Sequence, residues 1–96
     1  MVKHVLMCKL TDPTPESVGE LVLELGSLRH GLESLRALDI GVDFKRSAVS
    51  FDVVAIAVFD DRDALAQFSA DLRHRAVADK VRAVCSAISI VDYETD

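Results

Sequence analysis

Two segments of the chain, VKHVLMCKL at 2–10 and FDVVAIAVF at 51–59, carry apolar residues on both faces of a β-strand. In the second segment, Val53 and Ala55 alternate with Val54 and Ile56, so neither face is polar. A strand with one face in water alternates apolar and polar residues, whereas a strand that is apolar on both faces is buried on both sides. We therefore predict that these two strands lie at the centre of a sheet whose two faces are both covered.

Helical and strand patterns follow one another around these two strands. Thr14 and Pro15 have the residue types of a helix N-cap and first helical position, and apolar residues at helical spacing continue towards Gly31, a residue typical of a helix end. The remaining segments are a strand, two helical segments and a strand, at 35–42, about 61–70, about 75–85 and 88–93. The order β-α-β-β-α-β predicts an α+β, ferredoxin-like subunit with a four-stranded antiparallel sheet. In that topology the first and third strands are central, which agrees with their apolar faces.

Composition predicts a single domain over residues 1–96, because half of the 96 residues are apolar and no linker-like segment interrupts them. The chain has 16 acidic and 11 basic residues, and this excess of negative charge argues against binding to nucleic acid or to an anionic membrane. No stretch approaches the roughly 20 apolar residues of a membrane span, and the first ten residues lack the apolar block of a signal peptide. We expect a cytoplasmic protein in which Cys8 and Cys85 are free thiols, with no cofactor and no metal site.

One face of the predicted sheet has no helix to cover it, since two helical layers cover only one face of a four-stranded sheet. Whichever face they cover, the other exposes a set of large apolar side chains from the third strand, either Val54, Ile56 and Val58 or Phe51, Val53 and Phe59. Burial of three to five such side chains contributes roughly 1.5–3 kcal/mol each, which is comparable with the whole stability of a small domain. We therefore predict an obligate homodimer that packs sheet face against sheet face.

Several short segments, in this order and spacing, resemble the stress-responsive A/B barrel (Dabb) family over nearly the whole chain: residues 3–6, 50–53, 59, 63–65, 74 and 91–93. The resemblance implies a ferredoxin-like subunit that pairs into a dimeric α/β barrel. Plant polyketide cyclases that resemble this fold use two histidines, whose positions match His4 and His74. A tyrosine of that site matches Phe68, so its phenol is absent here. The family's His-Pro-x-His turn is Asp-Leu-Arg-His at 71–74, which keeps only the second histidine.

The resemblance implies a cavity between sheet and helices near His4 and His74, and we expect Leu6, Phe68, Val77 and Val81 to line it. Imidazole titrates near neutral pH, so one histidine could abstract a proton while the other polarises a carbonyl group. The neighbouring arginines, at 73 and 75, could steer an anionic or enolisable substrate. The alternative is that the first histidine is a structural residue bonded to a backbone carbonyl and the second is a solvated residue at a helix start.

Three hypotheses of function follow. The first is a homodimer that binds a small organic metabolite between sheet and helices, with possible cyclase- or lyase-like histidine chemistry. The second is a non-catalytic, stress-related structural dimer, and the third is a cofactor-free or heme-linked monooxygenase of the dimeric α/β-barrel type. A cavity of about 300 Å³ or more that contains both imidazoles favours the first hypothesis, and a filled core favours the second.

Overall fold

Over residues 1–95, which the computed structural model describes, four strands form one antiparallel sheet and three α-helices lie against one of its faces. The strands are β1 (Val2–Leu10), β2 (Ala37–Val42), β3 (Val53–Phe59) and β4 (Cys85–Glu94). The helices are α1 (Pro15–Gly26), α2 (Arg62–Ala70) and α3 (Leu72–Val84), and a 3₁₀ turn (Ser27–Arg29) extends α1. The spatial order β2-β3-β1-β4 confirms the predicted ferredoxin-like topology.

The two strands with two apolar faces are the two central strands, as predicted. Leu6 of β1 lies opposite Ala55 of β3 on one side and opposite Ile90 of β4 on the other. On β3, burial alternates strictly: the residues of the helix-covered face are buried and those of the opposite face, such as Val54 and Ile56, are half-buried. The helices therefore cover the face that carries the even-numbered residues of β1 and the odd-numbered residues of β3.

Several element bounds differ from the sequence prediction, among them the start of β2, at Ala37 rather than 35, and the start of α3, at Leu72 rather than about 75. Strand β3 begins at Val53 rather than at 51, and Asp52, just before it, accepts a hydrogen bond from the backbone N–H of Leu10 through its carboxylate. Helix α1 ends at Gly26 and continues only as a 3₁₀ turn, although Gly31 has the positive φ of 81° expected where a helix stops. Strand β4 begins at Cys85, because pairing with β1 extends along nearly its whole length.

Side chains of the residues before each helix hold the helix starts. Thr14 accepts a hydrogen bond from the N–H of Ser17, whose hydroxyl in turn accepts one from the backbone of Thr14. Asp61 caps α2, and Asp71 caps α3 by accepting from the N–H of Arg73 at 2.8 Å. Within residues 1–95, no helix combines the length and apolarity that a bilayer crossing requires. The caps fix where α3 begins, and α3 carries much of the candidate site.

The sheet face opposite the helices, here called the back face, is apolar and open in the single subunit. It carries Val54 and Ile56 of β3 together with Met7, Val91 and Tyr93, which are 37%, 57% and 43% exposed. A monomer of this size rarely leaves a contiguous apolar face in water. The structure therefore agrees with the prediction that helices cover only one of the two apolar faces.

Candidate functional site

A cavity of about 320 Å³ lies between the sheet and α3, and its floor is built from small side chains. Ala55 and Ala57 of β3 lie beside Leu6 of β1 on this floor. Alanine at these two positions leaves the space that a larger side chain would fill, while Val77 and Val81 of α3 form the opposite wall. The volume falls at the lower end of the range typical of small-molecule sites.

The structure brings five of the six sequence-predicted site residues to this cavity. His4, His74, Leu6, Val77 and Val81 all border it. The sixth residue, Phe68, is buried behind the ring of His74, with the two ring centroids 4.5 Å apart, and its other side meets Phe59 at 5.0 Å. Phe68 therefore supports the imidazole from the core.

His4 is bonded to a carboxylate rather than to a backbone carbonyl. It lies directly opposite Asp92 in the β1–β4 register, and its Nδ1–H donates to the Asp92 carboxylate. The His4 side chain is 17% exposed and that of Asp92 is 45% exposed, so the pair sits at the rim of the cavity. Because a carboxylate only accepts, this bond keeps the proton on Nδ1 and leaves Nε2 of the neutral ring as the basic nitrogen.

His74 occupies the first turn of α3 and has a different environment. Burial lowers the pKa of its imidazole, and the nearby His4 and Arg82 lower it further. The backbone of Ser69 lies close enough to oppose this shift in part, but no group in residues 1–95 has hydrogen-bond geometry with the buried Nδ1. His74 is therefore a neutral imidazole at neutral pH.

The cation at the cavity is not one of the two arginines beside His74. Arg73 is turned away, since its guanidinium donates to the carbonyl of His30 at 3.1 Å, and neither it nor Arg75 borders the cavity. Arg82 does border it. His74, Val77, Ala78, Val81 and Arg82 follow the spacing i, i+3, i+4, i+7, i+8, which places them on one face of a helix. That spacing was available in the sequence and would have identified Arg82.

Asp92 is the other functional residue that reasoning from the sequence missed. It lies 88 residues from His4 along the chain, and only the register of β1 against β4 makes the two residues neighbours. The segment 91–93 was one of those that carried the family resemblance, but nothing in its composition indicates a partner for an imidazole. The polar rim of the site therefore consists of His4, Asp92, His74 and Arg82 around an apolar interior.

The chain has the ferredoxin-like fold, and solved structures with this fold include proteins described as dimeric. One solved structure of this kind is a dimeric ferredoxin-like protein of unknown function from Thermobifida fusca (TM-score 0.86, 20% identity, 98% of this chain and 90% of that one covered). A protein from Arabidopsis thaliana is similar over 100% of this chain and 96% of its own (TM-score 0.87, 23% identity). The hydroxynitrile lyase of Passiflora edulis is similar over 99% and 93% (TM-score 0.86, 14% identity). At these identities the likeness is one of fold.

The family is shown by the sequence itself. The model of the Stress responsive A/B Barrel Domain (Dabb) matches residues 2–95, and the chain belongs to this family. No curated protein sequence matches the chain. Family membership confirms the resemblance drawn from the short segments, and it leaves the chemistry of the cavity to be argued from the residues that line it.

Proposed function

We propose that the protein is a homodimer that binds a small organic molecule in the cavity and carries out acid–base chemistry on a carbonyl group of that molecule, with His4 and His74 as the catalytic residues. The observation that carries the proposal is the placement of two imidazoles, one carboxylate and one guanidinium around a largely apolar cavity of about 320 Å³. Such a combination of apolar walls and a few polar groups is typical of small-molecule sites. The hydroxynitrile lyase of Passiflora edulis has a similar fold, which supports an enzymatic role for this architecture.

His4 is the proposed general base. Its bond to Asp92 holds the ring in the tautomer with a free Nε2 lone pair, and the carboxylate stabilises the imidazolium that forms when Nε2 takes a proton. The rim position of the pair leaves that proton able to return to the ligand or to pass to solvent. We therefore assign to His4 the removal of a proton from the carbon next to a carbonyl group.

His74 is the proposed electrophile. Burial lowers the pKa of His74 and so favours its neutral imidazole. The N–H of this neutral ring can donate a hydrogen bond to the carbonyl oxygen. The apolar walls formed by Val77, Val81 and Leu6 exclude water and strengthen that hydrogen bond as negative charge develops on the oxygen. Phe68 behind the ring holds it in place.

The homodimer is proposed to form through the back face. Ile56 and Val54 at its centre, with Val91 and Tyr93 beside them, would pack against the same face of a second copy. Two structures with this fold, from Thermobifida fusca and Bacteroides fragilis, are described as dimeric. The cavity lies on the other face of the sheet, so each subunit would keep its own site.

Free thiols at Cys8 and Cys85 support a cytoplasmic location as part of the same proposal.

The proposal is tested by hydrogen–deuterium exchange at the carbon next to the carbonyl of 2-tetralone, a bicyclic enolisable ketone, with the intact protein in D₂O. We expect the protein to accelerate exchange above the buffer rate, and His4→Ala or His74→Ala to remove about 100-fold or more of that acceleration, as is typical for loss of a general acid or base. Asp92→Asn should slow exchange through His4. His30→Ala, at an exposed histidine outside the cavity, is the matched control and should leave the rate unchanged.

Two results would contradict the proposal in different ways. An exchange rate that is the same for the unchanged protein and for the His4→Ala, His74→Ala double variant would refute acid–base chemistry. If 2-tetralone still perturbed the NMR signals of the cavity residues in that case, the protein would be a non-catalytic binder. Absence of both exchange and binding would favour the structural dimer.

A further inference from the structure

Arg82 gives the cavity a charge preference. Among the cavity-lining residues within 1–95, it alone carries a permanent positive charge. We propose that the cavity selects oxo acids, that is, molecules with an apolar body, a carbonyl group and a carboxylate, and that Arg82 binds the carboxylate. This inference rests on the proposed function, because it names the class of molecule whose carbonyl meets the two histidines.

The charges around the cavity leave the Arg82 guanidinium without a strong partner. The one acidic residue of the lining, Asp92, is held by His4. Arg82 itself bonds Asp79, three residues earlier on α3, but both side chains are largely exposed, at 63% and 75%. Exposed ion pairs of this kind contribute little, since water solvates both charges. A ligand carboxylate can accept two parallel hydrogen bonds from the guanidinium, whereas Asp79 accepts one, and can thus displace Asp79.

The position of Arg82 along α3 sets the distance between the two ends of the ligand. Arg82 lies eight residues after His74 on the same helix face, which corresponds to about 12 Å along the axis. The Arg82 guanidinium extends back along α3 as far as Asp79, on the side of Arg82 that faces His74. The effect of Arg82 on the pKa of His74 agrees with such proximity. A ligand bound at Arg82 by its carboxylate therefore presents a group several bonds away to His74 and His4.

The cavity surface between Arg82 and His74 is apolar and would contact the middle of the ligand. Val77, Val81 and Ala78 line α3 between the two polar positions, and Ile88 and Ile90 of β4 face them. None of these side chains can hydrogen-bond a ligand, so this stretch favours a phenyl ring or an alkyl chain. The three regions together match an aryl or alkyl oxo acid.

The inference is tested with a pair of probes that differ only in the terminal acid or amide group, 4-acetylbenzoate and 4-acetylbenzamide, each of which has a phenyl ring between that group and an enolisable carbonyl. Their dissociation constants are measured by titrating the intact protein with each probe and monitoring the NMR signals at a fixed, low ionic strength. We expect the acid to bind about ten-fold more tightly than the amide, because the charge-assisted bond to Arg82 is available only to the acid. Arg82→Gln should abolish this preference while leaving the affinity for the amide unchanged.

Arg75→Gln is the matched control, since Arg75 lies on the same helix but does not border the cavity, and it should keep the ten-fold preference. Equal binding of acid and amide to the unchanged protein would overturn the inference and leave the proposed cavity function standing. A preference that survives Arg82→Gln, or one that Arg75→Gln removes equally, would overturn it as well, because the charge would then act from elsewhere. If neither probe bound, the proposed cavity function would fail and this inference with it.

Discussion

The buried carboxylate of Asp52 ties the loop between β2 and β3 to the first strand. Its Oδ2 accepts the backbone N–H of Leu10 at 2.8 Å, and its Oδ1 accepts from the guanidinium of Arg46 at 3.0 Å. Its own backbone N–H donates to the carbonyl of Cys8 at 2.9 Å. Asp52 is 6% exposed, so the bond to Leu10 is buried, whereas the bond to Arg46 is partly open to water. We predict that this residue contributes more to stability than any ion pair on the surface.

The size of the effect follows from what each substitution leaves unpaired. Asp52→Ala removes both acceptors and strands the N–H of Leu10 in a buried place, which costs about 1–3 kcal/mol. Loss of the bond to Arg46, whose side chain is 47% exposed, adds at most about 1 kcal/mol because water replaces the carboxylate. We therefore expect Asp52→Ala to lower the free energy of unfolding by about 1–4 kcal/mol. Asp52→Asn keeps an oxygen for Leu10 and should lower it by about 1–2 kcal/mol.

Urea denaturation, monitored by circular dichroism, measures these changes at one protein concentration, because the proposed dimer would make stability depend on concentration. The expected order of destabilisation is Asp52→Ala, then Asp52→Asn, then Arg46→Gln. Glu20→Gln, at an exposed carboxylate on α1 and away from the back face, is the control and should change stability by less than about 0.5 kcal/mol. If Asp52→Ala were as stable as the control, or if Asp52→Asn were as damaging as Asp52→Ala, the reasoning about the Leu10 N–H would be refuted.

Three further predictions concern the back face, a turn and a histidine. Ile56→Asp should convert the dimer into a monomer in light scattering at micromolar concentration, because a charge at the centre of the back face cannot be buried there unpaired. Gly31→Ala should lower the melting temperature, because Gly31 has a φ of +81° and an added Cβ would clash with the Arg73 guanidinium. Gly19→Ala should raise the melting temperature slightly, because the backbone there is helical and an added Cβ would have no neighbouring atom within 4 Å. The free energy of unfolding should fall as the pH drops below about 6.5, because burial lowers the pKa of His74 in the folded protein and the unfolded chain therefore binds more protons. His74→Gln should make this fall smaller in urea titrations at several pH values.

Each of these has a clear contrary result. An Ile56→Asp variant that stays dimeric would place the interface elsewhere. Equal melting temperatures for Gly31→Ala and Gly19→Ala would show that the turn tolerates a side chain. An unchanged pH profile in His74→Gln would mean that other groups dominate the acid destabilisation.

The fold was predictable because its two central strands carry an unusual pattern. Apolar residues on both faces of β1 and β3 identified the middle of the sheet, and Thr14 and Pro15 identified the start of α1. The start of β3 was not predictable from alternation. Residues 51 and 52 continue the strand-like pattern, but the strand begins at Val53, and the Asp52 carboxylate before it bonds Leu10, 42 positions away. Local pattern carries no information about such a long-range partner.

The candidate site likewise contains residues that the sequence could identify and residues that only the structure reveals. His4 and His74 came from the resemblance, and helical spacing from His74 leads to Arg82 without any structure. Asp92 required the β1–β4 register, which depends on how two distant segments pair. Phe68 was placed at the cavity by its match to a family tyrosine. The structure puts its ring behind His74, where it fixes an imidazole and makes no lining contact.

The two faces of β3 connect the cavity to the proposed dimer. On the helix side, Ala55 and Ala57 are too small to fill the space beneath α3, and a cavity results. On the back face, Val54 and Ile56 are large, and they offer the apolar surface that a second subunit would cover. Because side chains alternate strictly along a strand, small and large residues at successive positions separate the two roles. A change of size at Ala57 therefore acts on ligand binding, and a change of charge at Ile56 acts on assembly, although the two residues are adjacent in the chain.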